Sequence, residues 1–318
     1  MDRLPTRLLL VGLLAVAPAA AATAQELTGT LKKVKDSGRI VIGYREASLP
    51  FSYLPGPGGV SAERCEETVP GGEMEATRPC VIGYSIDLCR EIAAGISDEL
   101  DGMPIRLGFR PVTPENRVPA LQTGEIDLEC GSTTNDHVRR REVAFSPPFF
   151  ITGTRLLVRK ADGIESYSDL RGKTVVVTGE TTNETVLRKL DEKQNLGFRV
   201  VTTSDHDTSF ALFSSRQADA FASDDILLHG FIASRKAAAE LAVVGDMLSY
   251  DPYGIMYRKD DPGMAEAVER AFARLAATGE IVRLYDKWFL EPLPTGERLN
   301  RPMTAQLEES LHSLGLPE

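Results

Sequence analysis

Beyond its N-terminus, the sequence lacks any uninterrupted apolar run of about 18 residues, the length that a membrane-spanning helix needs. Histidine is scarce: the chain has four, and none lies at metal-ligand spacing from another histidine or from a cysteine. Neither a Gly-rich phosphate loop nor a nucleophile paired with a base is apparent. These absences predict a protein that has no metal site and needs no cofactor.

A surplus of basic residues is also missing. The 36 Lys and Arg residues are outnumbered by 46 Asp and Glu residues, which gives a net charge of −10. An acidic surface disfavours nucleic acid and anionic lipid as partners. It also repels an acidic ligand at long range, so affinity for such a ligand would have to come from a local group of arginines.

The N-terminus has the pattern of a secretory signal. Arg3 and Arg7 precede an apolar run over residues 8–17, and the small residues of Ala22-Thr23-Ala24 follow at the spacing that a signal peptidase reads. We expect residues 1–24 to be a cleaved signal peptide and the mature protein to be periplasmic. The alternative is a retained N-terminal anchor.

Four cysteines in an exported chain indicate two disulfide bonds, for which the sequence alone allows three pairings. Cys65 and Cys80 both lie in residues 54–80, a segment rich in Gly, Pro and Glu that has no apolar period. We expect this segment to be a surface insert that its two cysteines close on itself. Cys89 and Cys130 would then form the second bond, with two reduced, buried thiols as the alternative.

Short apolar strands alternate with amphipathic helices along the rest of the chain. Residues 40–44 and 105–109 have the pattern of strands, and residues 84–96 have that of a helix with Ile86 and Ile92 on one face. This alternation predicts α/β layers with mostly parallel sheets, whose ligands bind at the carboxyl ends of the strands.

A short internal similarity in the sequence indicates a repeated architecture. A helix that leads to a strand at residues 121–128 is followed by a polar loop, and the same order recurs at residues 216–221. Two similar α/β units, each offering its strand-end loops, would form two lobes that face a cleft.

A set of short stretches carries a family resemblance. These stretches are GYREASLPFSY at 43–53, VIGYS at 81–85, NRVP at 116–119, ECGSTTN at 129–135, GTRLL at 153–157, VVVT at 175–178, DH at 205–206, DD at 224–225 and YDKWF at 285–289. In this order they resemble the polar-amino-acid solute-binding proteins of ABC importers (family 3), and within that family the glutamate/aspartate-binding branch. The resemblance extends from about residue 31 to residue 294, apart from the insert.

The resemblance implies a periplasmic binding protein type II fold, with two α/β lobes joined by two crossing strands and a ligand cleft between them. Lobe 1 would comprise residues 26–151 and 255–318, and lobe 2 residues 152–254, with crossings near residues 152–155 and 251–254. It also implies a monomeric receptor that closes about its hinge on L-glutamate or L-aspartate and delivers it to the permease subunits of an ABC transporter. Such a receptor is not an enzyme.

The same resemblance assigns the groups that bind the α-carboxylate and α-ammonium of the ligand. Arg139 would pair with the α-carboxylate, because the planar guanidinium forms two parallel hydrogen bonds with a carboxylate. Ser132 and Thr134 would be nearby donors. Thr182 lies at the start of a predicted helix, whose free backbone N–H groups favour an anion, and Asp224 would bind the ammonium group.

Arg45, Arg117 and His206 correspond to the family's contacts with a distal carboxylate. Two arginines beyond the one that every amino acid requires make an acidic side chain the expected one, and Arg45 directly follows a predicted strand. One position departs from the pattern: close relatives carry a hydroxyl residue where this chain has Pro114, and Thr113 could replace that hydroxyl. The departure leaves the preference between glutamate and aspartate open.

At two places in the sequence, adjacent residues of the same type could exchange roles. Arg139 stands beside Arg140 and Arg141, so only the family spacing selects it, and we expect its two neighbours to point outward. Asp224 and Asp225 are likewise adjacent, and one of them could simply be a helix N-cap.

Other site residues also have a structural alternative. His206 could cap the helix that follows it or bond a neighbour. Phe51 and Tyr53 could pack on the ligand or on the hinge, and the sequence does not decide between the two. Asp127 and Glu129 are interpreted as structural residues at the end of a strand.

Three rival functions remain at this point. Some dehydratases that act on prephenate or arogenate share the two-lobed fold, so fold alone does not exclude catalysis. A sensor module of a receptor kinase or channel would need a transmembrane segment after the lobes, and the sequence to Glu318 contains none. A receptor of the same class could bind glutamine or asparagine, whereas Arg45 and Arg117 disfavour a basic side chain.

Overall fold

The computed structural model describes residues 27–55 and 80–317. As far as the hinge region, its elements are α1 (Gly29–Ser37), β1 (Arg39–Tyr44), β2 (Ala47–Ser48), β3 (Ser52–Tyr53), α2 (Tyr84–Glu99), β4 (Arg106–Pro111), α3 (Arg117–Gln122), β5 (Leu128–Glu129), β6 (Val143–Phe145) and β7 (Phe150–Thr152). The next part contains β8 (Thr154–Arg159), β9 (Thr174–Thr178), α4 (Thr182–Gln194), β10 (Arg199–Thr203), α5 (His206–Ser214), β11 (Ala220–Asp224), α6 (Asp225–Ser234) and β12 (Leu241–Val244). The chain then forms β13 (Asp251–Tyr253), β14 (Met256–Arg258), α7 (Pro262–Ala277), α8 (Glu280–Phe289) and α9 (Ala305–His312).

Two five-stranded sheets form the centres of the two lobes. The first has the strand order β4-β1-β5-β14-β6 and the second β10-β9-β11-β8-β12. The prediction of mostly parallel sheets is confirmed for strand direction, since four of the five strands in each sheet run the same way. The exceptions are β14 and β8, each of which is antiparallel to both of its neighbours. These two strands follow the hinge and therefore start at the cleft edge, where the parallel strands end.

The strand topology confirms the two similar α/β units that the internal sequence similarity predicts. Strand β5 lies between a parallel neighbour, β1, and an antiparallel one, β14. Strand β11 lies in the same way between β9 and β8. Both central strands thus end at the cleft, and the polar residues that follow them face each other across it.

The two lobes are joined at a small hinge sheet in which β13 pairs with β7 in antiparallel orientation. Phe51 is fully buried against it, with ring centroids 5.0 Å from those of both Phe150 and Tyr253. Tyr53 packs edge-on against Trp288, with ring centroids 6.1 Å apart. Phe51 therefore packs on the hinge. The lobe boundaries at residues 151/152 and 254/255 stay predictions.

One disulfide bond fixes helix α2 to the central strand of lobe 1. Cys89 and Cys130 are joined with an S–S distance of 2.04 Å and a Cα–Cα distance of 6.4 Å. The predicted Cys89–Cys130 bond is confirmed. The predicted partner of Cys80, Cys65, lies outside the described residues, as does the predicted signal peptide over residues 1–24.

Helix α6 of lobe 2 packs closely on lobe 1. Its Ile226 and Leu227 are buried in the same apolar cluster as Phe51 and Phe150. A Cβ atom at Gly230 would lie 2.4 Å from the backbone oxygen of Leu49, so only glycine permits this approach. Within residues 27–55 and 80–317, no helix is long and apolar enough to cross a bilayer.

Candidate ligand-binding site

A small polar cavity lies between the lobes at the ends of the two central strands. Its lining residues are Arg45, Arg117, Ser132, Thr134, Arg139, Thr181, Thr182, Asn183, His206 and Asp224. All eight residues that the sequence predicts as ligand contacts are thus brought together, and Thr181 and Asn183 are added to them. The part of the chain that the structure describes contains no group of His, Cys, Asp or Glu side chains that could hold a metal ion.

Arg45 and Arg117 form the deepest part of the cavity, and each is only 3% exposed. Arg45 directly follows β1, and Arg117 begins the short helix α3. The Arg117 Nη1 atom donates to the Thr133 hydroxyl at 2.6 Å, and this hydroxyl donates to Glu129 Oε2 at 2.7 Å. Glu129, at the end of β5, therefore orients Arg117 through Thr133, in agreement with its interpretation as a structural residue.

The charges in this part of the cavity are incompletely balanced. Burial lowers the pKa of the Arg45 guanidinium, and the charge of Glu129 only partly offsets that effect. Burial, together with the neighbouring charges of Arg139 and Arg45, lowers the pKa of Arg117. A lowered pKa of a cation means that the surroundings disfavour its charge. A bound anion would relieve this cost for both arginines.

Arg139 approaches the cavity from a short 3-10 helix, Arg139–Arg141. Its Nη1 atom donates to the Thr134 backbone oxygen at 2.9 Å and lies 3.4 Å from a carboxylate oxygen of Asp136. The Arg139 side chain is 14% exposed, whereas Arg140 and Arg141 are exposed residues. The prediction that these two neighbours point outward is confirmed.

Thr182 begins helix α4, as predicted, at the point where this helix faces lobe 1. Thr181 caps the helix by accepting a hydrogen bond from the Glu184 N–H through its side chain. The hydroxyl oxygens of Thr182 and Thr134 lie 3.4 Å apart, so the two lobes meet here. The first turn of α4 thereby presents its N-terminal end to the cavity, where the helix dipole favours an anion.

His206 is buried and starts helix α5. The alternative that it caps this helix is wrong, because Asp205 accepts the capping hydrogen bond from the Thr208 N–H. The alternative that it bonds a neighbour is right, since its Nδ1 atom lies 2.7 Å from the Thr178 hydroxyl. Burial, with Arg45 and Arg117 nearby, holds the pKa of His206 well below its usual value, so the imidazole is neutral.

Asp224 ends β11 and contributes the cavity-lining carboxylate of lobe 2. Its Oδ2 atom accepts a hydrogen bond from the Tyr253 hydroxyl at 2.6 Å, and its Oδ1 atom accepts one from Asn183 at 3.0 Å. Asp224 occupies the N-cap position of helix α6, as that alternative has it, but its side chain makes no capping bond to the helix and lines the cavity instead. Burial and the charge of Asp251 raise the pKa of Asp224 to about 7.

Sequence reasoning missed the neutral partners of the charged groups. Thr133, Asn183 and Tyr253 hold Arg117 and Asp224 in place, and each adjoins a residue or stretch that the sequence did single out. Their position next to such a residue was the available signal. Which neighbour turns inward depends on the local backbone and not on composition.

Neither Pro114 nor Thr113 contributes a hydroxyl to the cavity. Pro114 is buried just before α3, and the Thr113 hydroxyl accepts a hydrogen bond from the Asn116 N–H at 3.3 Å. The cavity lining includes neither residue. The suggested replacement of the missing hydroxyl by Thr113 thus receives no support.

A larger cavity of about 310 Å³ lies further along the interface between the lobes. It is lined largely by apolar and neutral side chains such as Leu49 and Phe231, and its charged lining residues are Glu46, Asp207 and Arg235. Volume alone would favour it as the ligand site. The smaller cavity differs from it in its convergent buried charges, which a charged ligand requires more than it requires space.

The chain belongs to the bacterial extracellular solute-binding proteins, family 3, which it matches over residues 65–291. It is 38% identical to an L-glutamate/L-aspartate-binding protein of Pseudomonas aeruginosa, over 98% of this chain and 97% of that one. A glutamate/aspartate import solute-binding protein of Salmonella typhimurium is 36% identical, over 99% and 96% of the two chains. Identity falls to 28% for a glutamine-binding protein of Bacillus subtilis, over 82% and 85%.

Solved structures confirm the predicted type II periplasmic binding protein fold. A mutant of ArgBP from T. maritima superposes with a TM-score of 0.67 at 26% identity, over 83% of this chain and 100% of that chain. An ancestral amino acid-binding protein, AncCDT-1, described as a precursor of cyclohexadienyl dehydratase, has a TM-score of 0.62 at 25% identity, over 82% and 99% of the two chains.

Proposed function

We propose that this chain is the extracytoplasmic receptor of an ABC importer and that it binds L-glutamate or L-aspartate between its lobes. The observation that carries the proposal is the meeting of Arg45, Arg117 and Arg139 with Asp224 around one small cavity. An acidic amino acid has the complementary charges, two carboxylates and one ammonium group. Each buried charge of the site then faces a charge of opposite sign, which burial requires.

The end of the cavity near the hinge suits the groups that all amino acids share. Arg139 would form the ion pair with the α-carboxylate, with the hydroxyls of Ser132, Thr134 and Thr182 and the N-terminus of α4 as further donors. Asp224 would accept hydrogen bonds from the ammonium group. Because these donors come from both lobes, a bound ligand would hold the lobes together.

The deeper end suits a distal carboxylate. Arg45 and Arg117 would pair with it, and neutral His206 would add a hydrogen bond without adding charge. A glutamine or asparagine side chain would leave the two buried guanidinium groups without an anion, and such a loss costs several kcal/mol. The two relatives with the highest identities quoted, whose names specify glutamate and aspartate, support the acidic ligand over the amide.

A binding protein is supported over an enzyme by the chemistry of the cavity. The relatives quoted at 36–38% identity are named as binding proteins, although the ancestral relative of a dehydratase has the same fold. Of the cavity-lining side chains, His206 and Asp224 are the plausible general acids or bases. Both are already engaged, His206 with Thr178 and Asp224 with Tyr253 and Asn183. We therefore propose that the chain binds its ligand without converting it.

The proposal includes the setting in which the receptor works. The N-terminal signal pattern supports export to the periplasm, and the net charge of −10 disfavours nucleic acid as a partner. The partners would be the membrane permease subunits of an ABC transporter, which distinguish the closed, loaded receptor from the open one. We expect the receptor to act as a monomer.

Thermal unfolding of the purified mature protein with each of the twenty amino acids tests the proposal. A ligand that binds only the folded state stabilises it by about 2.7 kcal/mol at a hundredfold excess over Kd. Glutamate and aspartate should raise the unfolding temperature most, and their amides less. An equal or larger shift with a neutral or basic amino acid, or no shift with any of the twenty, would refute the assignment.

A further inference from the structure

Two hydrogen bonds join Arg117 to Glu129 through the hydroxyl of Thr133. The Arg117 Nη1 atom donates to this hydroxyl at 2.6 Å, and the hydroxyl donates in turn to Glu129 Oε2 at 2.7 Å. Thr133 and Glu129 are both fully buried. Neither lines the cavity, and both lie behind an arginine that does. Thr133 can therefore act on a ligand only through Arg117.

The guanidinium of Arg117 is held at one end and unengaged at the other. Its Nη1 atom bonds Thr133, whereas its buried Nε atom has no hydrogen-bond partner among residues 27–55 and 80–317. A guanidinium binds a carboxylate through two parallel hydrogen bonds along one of its edges. Because Thr133 occupies Nη1, the edge formed by Nε and Nη2 is the one left for a ligand. A buried donor without a partner is costly, and a bound carboxylate would remove that cost.

Glu129 also lies against Arg45, the second arginine at the deeper end of the cavity. A Cβ atom at Gly131 would come within 2.3 Å of Glu129 Oε1 and 2.9 Å of Arg45 Cγ, so both side chains pack over the backbone of this glycine. The charge of Glu129 acts on Arg45 and on Arg117. Two guanidinium groups and one carboxylate leave a single positive charge here, since His206 is neutral. One ligand carboxylate neutralises that charge.

We propose that Thr133 and Glu129 determine the preference of the site for an acid over an amide, by holding Arg117 so that its Nε edge meets the distal carboxylate. The inference rests on the proposed function, because it requires that Arg117 binds this group. A carboxylate presents two acceptors to the edge, whereas an amide presents one acceptor and an NH₂ donor. A fixed guanidinium cannot turn its N–H groups away from that donor. Loss of the two positioning residues should thus weaken the binding of an acid more than that of its amide.

Lobe 1 contains a second arrangement of the same kind, which provides a matched control. Arg258 Nη2 donates to the Thr30 hydroxyl at 2.5 Å, and this hydroxyl donates to Asp261 Oδ2 at 2.5 Å. Thr30 is 1% exposed, and none of these three residues lines the cavity. Loss of the Thr30 hydroxyl should therefore have a comparable cost for folding and leave Arg117 in place.

Calorimetric titration of the purified mature Thr133→Val variant with L-glutamate and L-glutamine tests the inference. Valine has nearly the shape of threonine and lacks the hydroxyl, so Arg117 loses its link to Glu129. We expect the ratio of the glutamine and glutamate dissociation constants to fall about tenfold, while glutamine binding changes less than about threefold. Thr133→Ser, which retains the hydroxyl, and Thr30→Val should both keep the ratio within about threefold of the wild-type value.

An unchanged ratio in Thr133→Val, or an equal fall in Thr133→Ser or Thr30→Val, would overturn the inference. If Thr133→Val does not fold, Thr133→Ala gives the same comparison, because it places no γ-methyl group against the Glu129 carboxylate. A wild type that binds glutamine as tightly as glutamate contradicts the proposed function. A wild-type preference for glutamate that survives in Thr133→Val contradicts only the inference.

The Glu129→Gln variant tests the second positioning residue in a double-mutant cycle. With a neutral side chain at this position, the Thr133 hydroxyl no longer links Arg117 to a charge. Thr133→Val should then change the ratio by less than about threefold in the Glu129→Gln background, because residues that act as a unit have non-additive effects. A fall of about tenfold in that background would show that Thr133 acts alone, and would overturn the role of Glu129.

Discussion

The cavity has two walls, one from each lobe, and the two walls differ in how their charges are balanced. On the lobe 1 wall, Arg45, Arg117 and Arg139 give an excess of positive charge whose cost is only partly offset by Glu129. On the lobe 2 wall, Asp224 is held by two neutral donors, Tyr253 and Asn183. A ligand that satisfies both walls must be a zwitterion with an additional anion. On the proposed function, the difference between the two walls, more than the size of the cavity, would select an acidic amino acid.

Removing Arg139 should weaken the binding of every amino acid. Arg139→Ala should weaken the binding of all amino acids by about 3–5 kcal/mol, because each has an α-carboxylate that would be left buried and unpaired. Calorimetric titration with glutamate and glutamine measures the loss. The matched control is exposed Arg140→Ala, which should bind as the wild type does. Near-normal affinity in Arg139→Ala would reassign the contact to a neighbouring arginine.

Removing Arg117 or Arg45 should mainly reduce the difference in affinity between the acidic amino acids and their amides. Each alanine variant should lose about 2–4 kcal/mol for glutamate or aspartate and less for glutamine or asparagine, since only the distal carboxylate loses its partner. The quantity to measure is the ratio of the acid and amide dissociation constants. Equal losses for acid and amide would make these two arginines structural.

The close approach of helix α6 in lobe 2 to lobe 1 depends on Gly230. Gly230→Ala places a Cβ atom 2.4 Å from the Leu49 backbone oxygen in the closed arrangement. We expect about 1–3 kcal/mol weaker binding of acid and amide alike, the usual cost of overpacking. Small-angle scattering with saturating ligand would follow closure independently. Wild-type affinity in this variant would show that α6 does not approach Leu49 in the complex.

The smallest effect is expected at Pro114, where the family resemblance implies a missing hydroxyl. Pro114→Ser should change the binding of an acidic ligand by less than about 0.5 kcal/mol, because position 114 does not line the cavity. Pro119→Ser, at an exposed position of α3, is the control. A gain of about 0.5–1.5 kcal/mol, the net value of one hydrogen bond, would show that position 114 reaches the distal carboxylate in the complex.

The family resemblance assigned most of the lobe 1 wall, and the local structure explains why these residues meet. Arg45 directly follows an apolar strand, and parallel strands end at the edge of a sheet where ligands bind. The motif around Ser132, Thr134 and Arg139 is likewise local, so its residues approach one cavity together. The start of helix α4 at Thr182 was predictable from the polar residues before it.

What could not be predicted depends on contacts between distant segments. Half of the strand pairings in the two five-stranded sheets are antiparallel, because one strand of each sheet enters it from the hinge, which periodicity does not reveal. Phe51 packs on the hinge strands about a hundred and two hundred residues away in the chain.

The difference in affinity between L-glutamate and L-glutamine for the wild-type mature protein tests the central claim most directly. The two ligands are nearly isosteric, and only the charge that faces Arg45 and Arg117 changes. We predict that calorimetric titration at about pH 8 gives glutamate an affinity about a hundredfold or more above that of glutamine, a difference of about 2.7 kcal/mol. Equal affinities, or tighter binding of glutamine, would contradict the assignment of the two buried arginines to a distal carboxylate.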